Sequence, residues 1–292
     1  MAHGIQDGHR ARKRFGQNFL VDPAVIERIL AAIPGSGDLV EIGPGLGALT
    51  LPLAARGNRV VAIEFDRDVV ARLRVKADAH GLDSGASADA YGVDSRASAT
   101  GRRIDIVSQD ALRLDLAALA DDRQLTPPLT IVGNLPYNIA TALITRLLVQ
   151  ADQGMQLAQM VFMVQKEVGD RLAAAPGDSA YSRLSVLVAA QAEVRHLFDV
   201  PPSAFNPPPK VESSVLRITP AATPRVPPSD WPRFERLVTA AFAQRRKTLR
   251  NNLKPLMPGS TIEAAGIDPS LRAQALDIPA FLALARQMDP PD

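Results

Sequence analysis

The 292-residue chain contains no cysteine, which removes several kinds of chemistry at once. Disulfide staples, thiolate metal sites and a cysteine nucleophile are excluded, and the cytoplasm is the expected compartment. No stretch approaches the roughly 18 consecutive apolar residues that cross a bilayer, so no membrane association is expected. The N-terminus is polar and basic without an apolar h-region and does not read as a signal peptide. Histidine is scarce and scattered, at His3, His9, His80 and His196, and no metal site is expected. Internal repeats are absent. Even net charge is nearly missing: 33 Lys+Arg stand against 31 Asp+Glu, giving +2, a total that says nothing about an acidic partner.

What is present is a globular composition, 46% hydrophobic and 22% charged, in a chain long enough for one large domain or two ordinary ones. VDPAVIERILAAI predicts a helix capped by Asp22, with Pro23 at its first position and Val25, Ile26, Ile29, Leu30 and Ile33 on one face. Strands follow at DLVEIG, RVVAIE (59–64), RIDIVSQD (103–110), LTIVGNLPY (129–137) and AQMVFMVQ, alternating with helical patterns. That alternation predicts an α/β, Rossmann-like sheet, mostly parallel. EVRHLFDV and SSVLRITP, with no clear helix between them, predict an antiparallel edge pair. Residues 78–102 lack periodicity and read as an inserted loop. Residues 219–232 carry five prolines and read as a semi-rigid linker. The predicted organisation is a catalytic domain over 1–219 and a small all-helical domain over 220–292.

Charge is unevenly placed. Arg10, Arg12, Lys13 and Arg14 against Asp7 give residues 1–20 a net +3. Arg245, Arg246, Lys247, Arg250 and Lys254 give residues 244–254 +5, which leaves −6 on the rest of the chain. A local field, not the total, steers a polyanion, so the two runs are candidate phosphate-binding surfaces. On a continuous helix the second run would cover half the circumference or more, with Ala240, Ala241, Leu249 and Leu253 inward.

Four motifs bear on chemistry. EIGPGLG (41–47) closes a strand and opens a helix, the place where glycines let a ligand approach the backbone. Glu64, ending the next strand, can take a ribose diol. The G-x-G-x-G spacing and Pro44, which removes an N–H, favour S-adenosylmethionine over a dinucleotide. Asp110 can accept from an adenine amine or cap the helix predicted over ALRLDLAAL. Asn-Leu-Pro-Tyr (134–137) resembles the [D/N/S]-P-P-[Y/F] signature of amino-directed N-methyltransferases, though it also reads as a β-turn. An adenine N6 lone pair is delocalised into the ring. The Asn134 oxygen and a carbonyl of Leu135 or Pro136, by accepting the two amine hydrogens, can aim that lone pair, while Tyr137 stacks on the base. Phe205, on the proline-rich segment VPPSAFNPPPKVESSV, either covers the other face of a flipped adenine or belongs to the core.

Together FGQNFL (15–20), EIGPGLGALT, NLPYNIAT, QKEVGDRL, YSRLSVL, FNPPPKVESSV and AFAQRRKTLRNNL resemble the ribosomal RNA adenine dimethyltransferase family, from Arg14 to about Phe281. The resemblance implies conversion of two adjacent adenines near the 3′ end of small-subunit rRNA to N6,N6-dimethyladenine, by a monomer acting on the immature subunit. It also implies Asn18 and Leu20 at the methionine end of S-adenosylmethionine, Gly43 against it, Glu64 on its ribose, Asp110 on its adenine, and Asn134 between donor and amine. The longer link over 78–102 departs from the family pattern. Three other readings stay open: a large-subunit rRNA adenine methyltransferase of the macrolide-resistance type, a non-catalytic ribosome-assembly factor, and an NAD-dependent oxidoreductase.

Overall fold

Buried strands alternating with amphipathic helices build the first of two units, residues 1–169 with 195–219. The computed structural model describes residues 18–82 and 104–289, and the backbone of 5–6 and 9–10. Arg12, Lys13 and Arg14 of the basic arm, and 83–102 of the expected insertion, lie outside the described residues. Residues 78 and 79, expected in that insertion, instead end a helix.

Two short strands, β1 (Ile5–Gln6) and β2 (His9–Arg10), pair antiparallel, and β3 (Phe19–Leu20) follows. Helix α1 (Pro23–Ala31) begins as its sequence predicts. The Asp22 carboxylate accepts from the Ala24 and Val25 N–H groups at 2.9 and 3.3 Å, and Val25, Ile29 and Leu30 are buried. The βα succession then runs β4 (Asp38–Ile42), α2 (Thr50–Ala55), β5 (Arg59–Glu64), α3 (Arg67–Ala79), β6 (Ile104–Ser108), α4 (Leu116–Arg123), β7 (Leu129–Asn134), α5 (Ala140–Asp152) and β8 (Leu157–Gln165). After it come α6 (Lys166–Ala173), α7 (Arg183–Ala189), β9 (Ala192–Val200), β10 (Phe205–Asn206) and β11 (Ser213–Pro220).

Seven strands form one Rossmann-like sheet in the order β6-β5-β4-β7-β8-β11-β9. The five from β6 to β8 are parallel, and β11 runs antiparallel to β8. The expected edge pair is present: β11 and β9 are neighbours at one side of the sheet, with β11, last in sequence, lying between β8 and β9. Val40, Val60, Val61, Ile131 and Val132 are wholly buried, as strands covered on both faces require. From β4 the chain moves outward through β5 and β6, then returns to place β7 on β4's other side. The connections diverge there, and a crevice opens at the strands' carboxyl ends. Gly133 permits the approach: a Cβ at this position would stand 2.3 Å from the Ile42 carbonyl oxygen.

The second unit comprises residues 170–194 and 220–292. Its helices include α8 (Trp231–Ala241), α9 (Leu249–Asn252), α10 (Gly259–Ala264) and α11 (Ile278–Ala285). The domain division expected at 219/220 is therefore incomplete, because 170–194 belong with the C-terminal residues. Tyr181, Val186 and Ala190 share a core with Phe234, Leu237 and Phe281, and the Tyr181 hydroxyl donates to the Leu276 carbonyl at 3.0 Å. The proline-rich stretch is docked and is no free spacer. Val226 is buried, and the Ala221 and Arg225 N–H groups donate to the Gln191 and Ala190 carbonyls.

Candidate active site

The crevice between β4 and β7 widens into a cavity of about 610 Å³. Gly43 lines it beyond β4, Glu64 at the end of β5, Asp110 beyond β6, and Asn134, Leu135, Pro136 and Tyr137 at and beyond the end of β7. Asn18 and Leu20 complete the wall from the N-terminal segment. Residues spread over more than a hundred positions thus converge on one cavity.

Gly43 holds a left-handed backbone, φ +69°, and its N–H donates to the Ile63 carbonyl at 3.0 Å. A Cβ there would meet the Asn134 carbonyl oxygen at 3.3 Å, so torsion and proximity both call for glycine. Glu64 turns Oε1 to the N–H groups of Phe65 and Asp66, each 2.9 Å away. Burial pushes its carboxyl up, those two bonds oppose the shift, and the Asp66 charge adds to it. Asp110 both borders the cavity and caps a turn, accepting from the Leu112 N–H at 2.9 Å. The turn is a single 3-10 turn over Ala111–Arg113. The helix expected after it starts only at Leu116, capped by Asp115.

Asn134 ends β7, and its Nδ2 donates to the backbone carbonyl of Asn18 at 3.2 Å. That bond occupies the amide's donor end and leaves Oδ1 to accept. Leu135 is anchored through its N–H to the Met163 carbonyl at 3.0 Å, its side chain buried. The Pro136 carbonyl accepts from Ile139 and Ala140 at 3.1 and 3.2 Å. Of the two carbonyls expected to face a substrate amine, Pro136's is therefore committed to the turn, which points to Leu135's. The Tyr137 hydroxyl lies 3.1 Å from Ser213 Oγ, and burial pushes its pKa up.

One wall residue was given no role by the sequence. Glu41, in the apolar strand DLVEI, is 2% exposed, and its Oε2 has no hydrogen-bond partner among the described residues. Burial pushes its carboxyl up to about 7, with the Glu64 charge a smaller cause in the same direction. The buried Thr50 hydroxyl favours the charged form, but no formed hydrogen bond joins it to Glu41. The folded protein therefore retains this proton above the ordinary carboxylate range. The resulting stabilisation is complete in acid and is lost as pH rises through about 7. A lone acid inside an apolar strand was the signal available.

Phe205 corrects one expectation. Its ring is 4% exposed within the core that includes Leu20, Val25 and Val215, and it does not line the cavity. The cause is local pairing: β10 runs antiparallel to β3, setting Phe205 against Leu20. Phe205→Ala should therefore cost about 3–5 kcal/mol of stability by opening a void, read as a lowered midpoint in denaturant.

In the second unit the basic run is not one helix. Helix α8 stops at Ala241 and α9 starts at Leu249, with Asn252 Nδ2 donating to the Ala241 and Gln244 carbonyls across the break. Ala241, Leu249 and Leu253 are buried as expected. Arg245 donates to the Tyr181 and Ser179 carbonyls, and Arg250 pairs with Glu263 at 3.2 Å. Arg246 and Lys247 are exposed.

A sequence model of the family described as "Ribosomal RNA adenine dimethylase" matches residues 8–289. The chain belongs to that family. Among its relatives, the ribosomal RNA small subunit methyltransferase A of Pseudomonas aeruginosa is 48% identical over 282 residues, covering 96% of this chain and 95% of the relative. Two solved structures share the fold of this adenine dimethylase. A dimethyladenosine transferase from Plasmodium falciparum superposes with a TM-score of 0.69 at 23% identity, over 91% of this chain and 95% of that one. The 23S rRNA methyltransferase ErmE gives 0.64 at 24% identity, over 93% and 99%. Among the described residues of this family member, no helix is long and apolar enough to cross a membrane.

Proposed function

We propose that the chain transfers methyl groups from S-adenosylmethionine to N6 of two adjacent adenines near the 3′ end of small-subunit rRNA, dimethylating both, as a cytoplasmic monomer acting on the immature subunit. The observation that carries this reading is the orientation of the Asn134 amide. With Nδ2 turned to the Asn18 carbonyl, Oδ1 is the acceptor offered to an amine at the end of β7.

The residues present fit such a donor. Gly43 leaves open a cradle beside Asn134 that a Cβ would fill, and Glu64, oriented by the Phe65 and Asp66 N–H groups on Oε1, presents its carboxylate on the cavity wall for a ribose hydroxyl. Asp110, Asn18 and Leu20 line the same cavity, which supports the roles that the resemblance implies for them, Asp110 on the adenine and Asn18 and Leu20 at the methionine end. When bound, S-adenosylmethionine supplies an electrophilic methyl on a sulfonium. The chain does the positioning. Asn134 Oδ1 and the Leu135 carbonyl accept the two N6 hydrogens and direct the nitrogen lone pair toward the methyl. Tyr137, tethered to Ser213, stacks on the target base. The displaced N6 proton leaves to water, so no histidine base is required.

The fold alone is shared with a large-subunit enzyme and does not choose between rRNAs. The 48% identity to a small-subunit methyltransferase along nearly the whole chain favours the small subunit. Labelled S-adenosylmethionine incubated with unmethylated small subunits should place dimethyladenine on two neighbouring positions of the rRNA, mapped by mass spectrometry. Absence of transfer would overturn the reading, and label in a parallel incubation with large subunits instead would favour the macrolide-resistance type.

Arg246 and Lys247, exposed like Lys254, are cations of the basic run offered to RNA phosphates. Replacing either with alanine should weaken binding evenly across sequences and lower the slope of log affinity against log salt by about one. An unchanged slope in filter-binding titrations would remove that residue from the interface.

A further inference from the structure

Two deeply buried carboxylates on the cavity wall, Glu41 and Asp66, are left unused by the transfer chemistry; Asp66 caps α3 through the Asp68 N–H, which leaves Glu41. Its Oε2 lacks a partner among the described residues, it lies behind the Gly-rich turn, and it shares the wall with a second carboxylate, Glu64. Other titratable groups facing this space are Asp66 beyond β5, Lys76 and His80 from α3, Asp110 beyond β6, and Tyr137 beyond β7. Strand β7 and helix α2, packed nearest, contribute no ionisable side chain. Glu64 is the neighbour whose charge raises the Glu41 carboxyl, so ionised Glu41 is poorly compensated while the cavity holds no cation.

We infer that Glu41 senses the charge of the methyl donor, ionising when a sulfonium fills the cavity and taking a proton when the cavity holds the neutral sulfide product. The inference rests on the S-adenosylmethionine reading of the cavity. A cation placed against a buried carboxylate in a poorly solvated site favours its charged form strongly. Donor binding therefore expels a proton from Glu41. In the transfer the N6 lone pair forms the new N–C bond while the C–S bond breaks with its electron pair going to sulfur. The positive charge passes to the methylated amine, whose proton leaves to water. Sulfur is then uncharged and Glu41 is again uncompensated. It takes up a proton from solvent, and the attraction that held the donor does not hold the product. Glu41 is a positioning residue in this account: it sets the preference of the cavity for donor over product and touches no reacting atom.

Calorimetric titration at pH 7 in two buffers of different ionisation enthalpy reads this directly. The folded protein should release about half a proton from Glu41 per S-adenosylmethionine bound, since the carboxyl lies near 7 when the cavity is empty. The donor's own amino group titrates too, equally in wild type and Glu41→Gln, so the difference between the two proteins isolates Glu41. The ratio of product to donor dissociation constants should rise about tenfold from pH 6 to 8 in wild type and be flat in Glu41→Gln. Infrared difference spectra of wild type alone give a second readout, should the variant fold poorly. The carboxylic-acid C=O band should vanish with S-adenosylmethionine and persist with S-adenosylhomocysteine. Equal proton release by wild type and variant, or loss of the band with both ligands or neither, would overturn the inference. No binding of S-adenosylmethionine at all would instead sink the donor reading, and this inference with it.

Discussion

Asn134→Ala is expected to cut methyl transfer by about 10²–10³-fold or more while leaving rRNA binding close to wild type. Alanine removes the side-chain oxygen offered to the target amine, and with it half of the pair that holds N6 in position. The backbone carbonyl of Leu135 remains, so the base can still dock but its lone pair is no longer aimed. Stability should change little, because the amide's one 3.2 Å bond to Asn18 is worth about 0.5–1.5 kcal/mol. Asn134→Asp separates two parts of the argument. It keeps an acceptor of the same size but cannot donate to the Asn18 carbonyl, so it should fall between wild type and alanine. Single-turnover transfer from labelled S-adenosylmethionine to unmethylated small subunits measures the rate, and filter binding measures the affinity. A near-wild-type rate in Asn134→Ala would mean that this residue is not the amine's acceptor.

Asn18 shows why part of the site could not be read from residue types. Its contribution to Asn134 is a backbone carbonyl, which any residue supplies, so nothing in the side chain marks the position. Glu64, Asp110 and Asn134 were legible for the opposite reason. Each is a polar residue at the end of an apolar run, and in a parallel sheet the ends of such runs share one edge. Phe205 misled because an aromatic on a proline-rich loop carries the same signal whether it faces a ligand or a core. Its pairing with Leu20 across β10 and β3 depends on residues 185 positions away. Glu41 was hidden at the head of the EIGPGLG motif, because what sets it apart is its burial.

Strand positions were the most legible part of the fold: Arg59–Glu64 and Leu129–Asn134 follow from unbroken Val/Ile/Leu patterning bounded by turns. Helix ends were less so. The basic run reads as one helix because Arg, Lys, Gln and Leu all favour helix, yet Asn252 captures two carbonyls and stabilises a break. The assignment of 170–194 to the second unit was invisible locally, because it depends on which core Tyr181 and Val186 enter. Insertion of β11 between β8 and β9 is likewise long-range, its register against β8 set by residues about fifty positions apart.

Gly133→Ala should lower the melting temperature by roughly 6–12 °C and impair transfer as well, although the substitution adds a single methyl. The new Cβ would stand 2.3 Å from the Ile42 carbonyl oxygen, a backbone atom at the end of a central strand that cannot rotate aside as a side chain can. Register between β4 and β7 is held through Glu41 and Val132, one residue earlier on each strand, so the clash falls where the two chains begin to part. Relief requires β7 to move away from β4, at about 3 kcal/mol for overpacking of this kind, which for a chain of this size corresponds to the stated shift. The same movement displaces Asn134, the next residue, and Gly43, whose Cα faces the Asn134 carbonyl. A displacement near 1 Å there is worth about 10²-fold in rate. Gly35→Ala is the matched control. Gly35 has nothing within 4 Å of a built Cβ and no left-handed torsion, so its stability should stay within about 0.5 kcal/mol of wild type. Thermal melts and single-turnover rates of the two variants decide the matter. If Gly133→Ala melts with Gly35→Ala, the close approach of the two strands does not hold the crevice. If it melts low but transfers at the wild-type rate, the strands can separate without moving Asn134.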